Sequence, residues 1–359
     1  MFILSGAMYR KLERLIANFL WTGSPMKPSR LKVPWVIVTR PRKEGGLGVK
    51  KLAEWNRAAA LKHLWLILSE GRGSIWVEWV KVYLLRGRSL WLVSVPSKCS
   101  WVWKNLLALR HQMKALVAWR MGDGSRISFW QDPWLPCGPL LEVLGAGFRG
   151  RVGIPLQITV QEFYHSNIWQ SFVAADRNRS VRSKAGYLTQ LAALIPVSFP
   201  GAVTQQDSFI WLPNDGSGFT IKTAWEAIRR WSPRVPWRKV IWHRAIPPRF
   251  SFLLWTIMQN KLPTRDRLAN IEIASSDRCS ICLNHQETVS HLFFECEYSQ
   301  QVWTLVMEGV GNVQPVAWSL LLPALQLNPL LLSAYPEEFL KRFAALTYYL
   351  WMERNHRIF

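Results

Sequence analysis

The sequence predicts an α+β fold in which helix predominates: a basic helical region, then Trp-rich β-hairpins, then a small helical domain built around Cys and His. Three observations predict it. Apolar residues recur at helical spacing near both ends of the chain, Gly-rich breaks separate short alternating runs in the middle, and three Cys and two His residues gather between 279 and 296. The 359 residues give room for two or three domains. A hydrophobic content of 49% is enough to bury a core, and 21 Gly with 21 Pro sit near background, which excludes collagen-like and low-complexity chains.

Element by element, residues 8–21 set Met8, Leu12, Leu15, Ile16, Phe19 and Leu20 on one helical period, and Thr22-Gly23-Ser24-Pro25 ends the run. Basic loop residues follow to Arg42. Glu44-Gly45-Gly46-Leu47-Gly48 then reads as a tight turn opening a second helix over 49–68; it lacks the Gly-Lys-Ser/Thr that a phosphate loop requires. Shorter helices are predicted over 76–85 and 101–109.

Around residue 117 the pattern changes. Ala118–Met121 and Arg126–Trp130 flank Gly122-Asp123-Gly124, the signal for a β-hairpin. A second hairpin is predicted over 208–222, across Asn214-Asp215-Gly216-Ser217-Gly218. The stretch 135–206 is irregular, and helix resumes at Thr223 and over 250–259.

Residues 316–335 are apolar, but Pro323, Gln326, Asn328 and Pro329 interrupt them, so two short buried helices are expected rather than a membrane span. The first residues, MFILSG, are too short for a secretory h-region. A soluble intracellular chain is the expectation. No repeat of 20–50 residues is visible. The domain organisation expected is 1–115 (basic helical), 116–206 (Trp-rich hairpin and irregular linker), 207–305 (Cys/His domain) and 306–359 (helical tail).

Charge points to the partner. The chain carries +22, of which +16 falls in residues 1–150 and +6 in the remainder. A field of one sign attracts phosphates whatever the fold, so RNA or DNA is the expected partner. The 22 tryptophans have two uses, base stacking beside cations and core packing, and packing is the expectation for any single one.

The cysteines carry the sharpest signal. Cys279 and Cys282 form a CxxC; His291 follows, then Cys296, while Cys99 and Cys137 lie far upstream. Three thiolates and an imidazole suit a tetrahedral Zn²⁺, with Zn–S near about 2.3 Å and Zn–N near about 2.0–2.1 Å. His285, three residues past Cys282, is the alternative imidazole. A redox CxxC lacks a βαβ setting here, and a disulfide lacks a secretory signal. Four protein ligands leave no open position, so the expected zinc is structural. Its net charge of about −1 is offset by nearby Arg278.

Catalytic signatures are missing. Polymerases and many nucleases hold two metal ions about 3.5–4 Å apart on paired carboxylates, and no Asp-Asp occurs in this sequence. No Gly-x-Ser-x-Gly elbow occurs either.

Phe19–Gly23 with Val33-Pro34-Trp35, Glu44–Val49, Trp119–Gly124 with Phe129–Trp134, and Gly218–Trp225 follow one another in a recognisable order. On these segments most of the chain resembles the C-terminal part, past the polymerase palm, of a plant LINE-type (non-LTR) retrotransposon reverse transcriptase. Trp242, Pro247-Pro248-Arg249, Phe252, Trp255 and Asp266-Arg267-Leu268 continue the resemblance. Cys279, Cys282, His291–Phe294, Cys296 and Val302-Trp303 complete the zinc-binding reverse transcriptase domain, and Trp351–Asn355 resembles the helix preceding a ribonuclease H domain.

In the family the palm, with its aromatic-x-Asp-Asp motif, precedes this region and ribonuclease H follows it. The resemblance therefore implies a non-catalytic, zinc-binding piece of an RNA-directed DNA polymerase, with the missing palm as a possible protein partner and the nucleus as its compartment. It also implies a thumb-like N-terminal region that grips template–primer phosphates. Charge clustering names Lys43, Lys50, Lys51, Arg57 and Lys62 for that contact. The rival reading is an orphan structural or interaction module, or a decayed gene copy, with no nucleic-acid role.

Overall fold

The structure is a computed structural model that describes residues 3–28, 33–69, 73–166, 187, 190–196, 205–310 and 337–358. The apolar stretch 316–335 and residues 167–186, 188–189 and 197–204 lie outside these residues. The described part of the stretch expected to be irregular instead holds the Leu140–Leu144, Ala146–Val152 and Val160–His165 helices, the last opened by a capping box at Thr159. Among the described residues helices dominate, with a single two-stranded sheet, so the fold is α+β and mostly helical.

The chain divides into two compact units, each drawn from two stretches: Met1–Tyr9 with Leu52–Arg230, and Arg10–Lys51 with Trp231–Phe359. The basic segment 1–115 therefore contributes to both units, and the division falls inside the Gly6–Thr22 helix.

In the first unit, the Leu52–Leu68 helix packs against the Trp101–Lys114 and Ile221–Ile228 helices. Leu61, Leu64, Leu106, Leu107, Met113 and Ala224 fill the space between them. Trp55 stacks on Trp225 at 5.3 Å between ring centroids. Each fully buried aliphatic side chain contributes about 1.5–3 kcal/mol, so this apolar contact, rather than helix propensity, holds the three helices. Ser100 starts the second helix by accepting from the Trp103 N–H at 3.2 Å. The predicted 76–85 helix is α-helical over Ile75–Trp79 and then widens into a π-turn over Val80–Leu85.

Neither expected hairpin forms. Strand β1 (Val117–Arg120) pairs antiparallel with β2 (Ser208–Trp211), Val117 opposite Trp211 and Arg120 opposite Ser208. The first arms of the two expected hairpins thus pair with each other. The reason lies in the Gly122-Asp123-Gly124 loop. Its backbone N–H groups turn onto the buried carboxylate of Asp207: Gly122 N and Gly124 N donate to Oδ1 at 2.7 and 3.0 Å, and Arg126 N donates to Oδ2 at 2.9 Å. Gly122 is required there, since a Cβ would lie 2.1 Å from the Gln205 carbonyl oxygen. Residues 127–130 leave β1 and join a separate core, with Ile127, Phe129 and Trp130 against Leu140, Val160 and Phe163. In the second expected hairpin, Thr220 caps a helix instead: its hydroxyl accepts from Thr223 N at 3.0 Å.

The core of the second unit is aromatic. Trp255, Phe293, Phe294, Trp303 and Phe343 meet residues of the N-terminal stretch, Val33 and Val38 among them. The Glu44–Gly48 segment is a packed turn: Gly45, at φ 85°, caps a short 3₁₀ helix, and its carbonyl accepts from Trp255 Nε1 at 2.8 Å and Gln259 Nε2 at 3.0 Å. Tryptophan mostly packs the interior, as with Trp130, Trp211 and Trp255, while Trp79, Trp101 and Trp231 are exposed.

Candidate metal centre

The CxxC sits on a short antiparallel turn. Cys279 N donates to the His285 carbonyl at 2.7 Å and Glu287 N to the Asp277 carbonyl at 2.8 Å, on either side of the Arg278–Gln286 bridge. Leu283, at φ 63°, turns the chain back at the tip. The two sulfurs of Cys279 and Cys282 are thereby placed on one side of a tight loop.

The other two donors come from the turn that follows. His291 opens a π-turn, His291–Glu295, and Cys296 ends it by donating its N–H to the His291 carbonyl at 2.7 Å. Leu292, Phe293 and Phe294, lying between these donors, are buried in the core and fix the turn. Ser299 Oγ donates to the Leu292 carbonyl at 2.6 Å, which ties the turn to the Glu297–Met307 helix.

The result is a cluster. The donor atoms of Cys279, Cys282, His291 and Cys296 all lie within 4.8 Å of one another, and Cys282 Sγ is 3.3 Å from His291 Nε2. In a zinc tetrahedron the ligand atoms stand about 3.5–3.8 Å apart, so this donor set fits Zn²⁺ in chemistry and spacing. His285 is exposed and outside the cluster; it serves the site through its backbone carbonyl, with its ring centroid 5.3 Å from that of His291.

Electrostatics favour a thiolate at Cys296. Its hydrogen bond with Cys279 and the backbone N–H groups of Tyr298 and Ser299 at the helix start outweigh burial and bring the thiol down to about 4. Cys279, sharing that hydrogen bond and buried, is pushed up.

Behind the donors lies a network that sequence reasoning missed. Glu287 is fully buried, and its carboxylate accepts from the Ser280 N–H (3.1 Å) and hydroxyl (2.9 Å), both inside the CxxC. The same carboxylate accepts from Arg265 N at 2.8 Å and from Arg354 Nε and Nη2 at 3.0 and 2.6 Å. Burial pushes Glu287 upward, but the Arg354 bonds and those from Ser280 and Arg265 hold it below the usual carboxylate range.

Arg354 is itself 2% exposed and comes from the Glu337–Ile358 helix. Arg357, one turn on, donates to the Ile281 carbonyl at 3.0 Å. Two arginines of this helix thus hold the metal-binding loop, whereas Arg278, the cation expected beside the site, is exposed. Glu287 and Arg354 were hidden because 67 positions separate them; the available signal was a carboxylate standing between Cys282 and His291.

The five cations proposed for phosphate contact are not gathered in one unit. Lys43, Lys50 and Lys51 belong to the second unit, while Arg57 and Lys62 are exposed on the Leu52–Leu68 helix of the first. Lys43 Nζ lies 5.0 Å from the centroid of Trp231, a cation–π contact.

Comparison with known proteins agrees with this centre. Residues 219–303 match the family described as zinc-binding in reverse transcriptase. An Arabidopsis thaliana protein provisionally named a ribonuclease H protein is 26% identical over 318 residues, covering 85% of this chain and 48% of that protein. An uncharacterized mitochondrial protein of the same plant is 25% identical over 140 residues, 37% of this chain and 87% of the relative. The chain spans about half the length of the first of these relatives. Residues 219–303, which include all four clustered donors, accordingly match a zinc-binding segment of the reverse transcriptase type, in a chain similar over 85% of its length to one Arabidopsis thaliana protein provisionally named a ribonuclease H protein.

Proposed function

We propose that this chain is a non-catalytic, zinc-organised piece of a LINE-type reverse transcriptase that associates with RNA or DNA. The observation that carries the reading is the convergence of Cys279, Cys282, His291 and Cys296 within 4.8 Å. These four residues would hold Zn²⁺, which supplies a fixed cross-link between the CxxC loop and the His291–Glu295 turn. Four protein donors fill a tetrahedron and leave no place for a reacting water, so the role is structural.

Nucleic-acid association is supported by the +16 charge of residues 1–150, and a non-catalytic role by the lack of any Asp-Asp pair. No helix among the described residues is long and apolar enough to cross a membrane. We place the working protein in the nucleus; a fluorescent fusion excluded from nuclei would reject that placement. Metal analysis should find zinc bound to the purified chain. Binding to RNA or DNA should fall steeply as salt rises, because phosphate contacts release counterions. Metal-free protein that folds normally would remove the first half of the reading, and no binding to any nucleic acid at low salt the second.

A further inference from the structure

The first unit contains a cleft that the sequence motifs do not mark. It has a volume of about 670 Å³, and its walls include Trp76, Trp79, Tyr83, Arg86, Arg88 and Lys98. We infer that this cleft binds single-stranded nucleic acid, stacking unpaired bases on Trp79 and Tyr83 while the three cations hold the backbone phosphates. The inference deepens the proposed nucleic-acid association by giving it a site, and it rests on that reading.

Several observations converge. Trp79 and Tyr83 are four residues apart, their ring centroids 5.9 Å from each other, and they are 47% and 60% exposed. Large aromatic rings left this open beside cations are what sequence-tolerant base stacking uses, since every base offers a π-face. The cations are displayed by the backbone. The π-turn Val80–Leu85 ends at Arg86, whose φ of 50° places a non-glycine residue in the left-handed region, and Gly87 follows at φ 72°. Such conformations persist where the surroundings impose them, often at functional sites. This turn leaves Arg86 and Arg88 exposed, with their Nε atoms donating to the Tyr83 and Leu85 carbonyls, both at 3.2 Å.

Charge complementarity names the occupant. Residues 73–106 carry five Lys and Arg against one carboxylate, Glu78. Glu78 does not line the cleft, and among the described residues Arg86, Arg88 and Lys98 make no ion pair. An apolar peptide would leave these three cations without counter-charges, and a duplex would keep its bases away from the rings. An unpaired strand satisfies both groups.

The test uses the full chain and fluorescein-labelled oligo(U) and oligo(dT) of about a dozen nucleotides, within the site sizes typical of such grooves, beside a duplex of equal length. Wild type should prefer either single strand to the duplex, and its tryptophan emission should be quenched on binding. Trp79→Ala and Tyr83→Ala should each weaken single-strand binding about tenfold, while Tyr83→Phe keeps the affinity. Removing Arg86, Arg88 and Lys98 together should flatten the slope of log affinity against log salt by about two. Unchanged zinc content and circular dichroism would show that the variants fold. Wild-type-like binding by both alanine variants, or equal affinity for the duplex, overturns the cleft assignment and leaves the broader association standing. Failure of wild type to bind any of these probes at low salt overturns both.

Discussion

Two centres in this protein are organised around a central charge, in opposite ways. In the first unit, the loop after β1 folds three backbone N–H groups around the carboxylate of Asp207. In the second, two loops bring three sulfurs and an imidazole together for a cation that must come from solution. The first centre is complete within the chain; the second depends on metal supply and on the protonation of its thiols. The difference teaches that a polypeptide can satisfy amide donors with its own carboxylates, whereas three thiolates in one place repel each other until a cation joins them.

The largest effect that would sharpen this contrast is loss of metal. Cys279→Ser with Cys282→Ser should abolish bound zinc and increase hydrogen exchange over residues 277–307, leaving 117–130 and 205–211 protected. Equal loosening of both regions would break the contrast.

Next comes the buried ion pair behind the metal loop. Arg354→Met should destabilise the second unit by about 3–5 kcal/mol, because it strands the Glu287 charge in the interior. Adding Glu287→Gln should restore part of that loss, as a denaturant-melt cycle would read. The sign of the pH dependence follows: Glu287 is held below its unfolded value, so its contribution is full above about pH 4.3 and is lost as pH falls through the folded value. Arg354→Met should reduce that acid-side loss.

Asp207→Asn should cost about 2–3 kcal/mol, since a neutral amide replaces a charged acceptor of three N–H bonds; exchange should rise at 122–126 with zinc content unchanged. The smallest effect is expected from Trp255→Phe, about 1 kcal/mol, because Gly45 O retains the Gln259 bond. A loss above about 3 kcal/mol would mean that cavity formation, not the hydrogen bond, dominates at that site.

How much was legible in the sequence follows the same division. The metal cluster was readable because its four donors lie within one short stretch, and spacing alone brings CxxC, His and Cys into reach. The helices over 6–22, 52–68 and 248–258 were readable from apolar period. The Asp207 centre was not, since its carboxylate lies 85 positions from Gly122 and an Asp in a loop carries no spacing signal. The hairpins were misread for the same reason. Local turn residues predicted local pairing, but a distant carboxylate and a helix cap at Thr220 satisfied those backbones instead. The charged residues chosen from clustering were spread over two units because the helix containing Arg57 and Lys62 begins where one unit gives way to the other.

The Glu337–Ile358 helix has a practical consequence for anyone isolating the metal-binding region. A piece cut to residues 219–303 would keep every ligand yet discard Arg354 and Arg357, and with them the guanidinium groups that steady the loop. It would also lack Val33, Val38 and the Gly45 carbonyl that Trp255 needs. A soluble expression product should therefore join Arg10–Lys51 to Trp231–Phe359, two stretches that the sequence order keeps far apart.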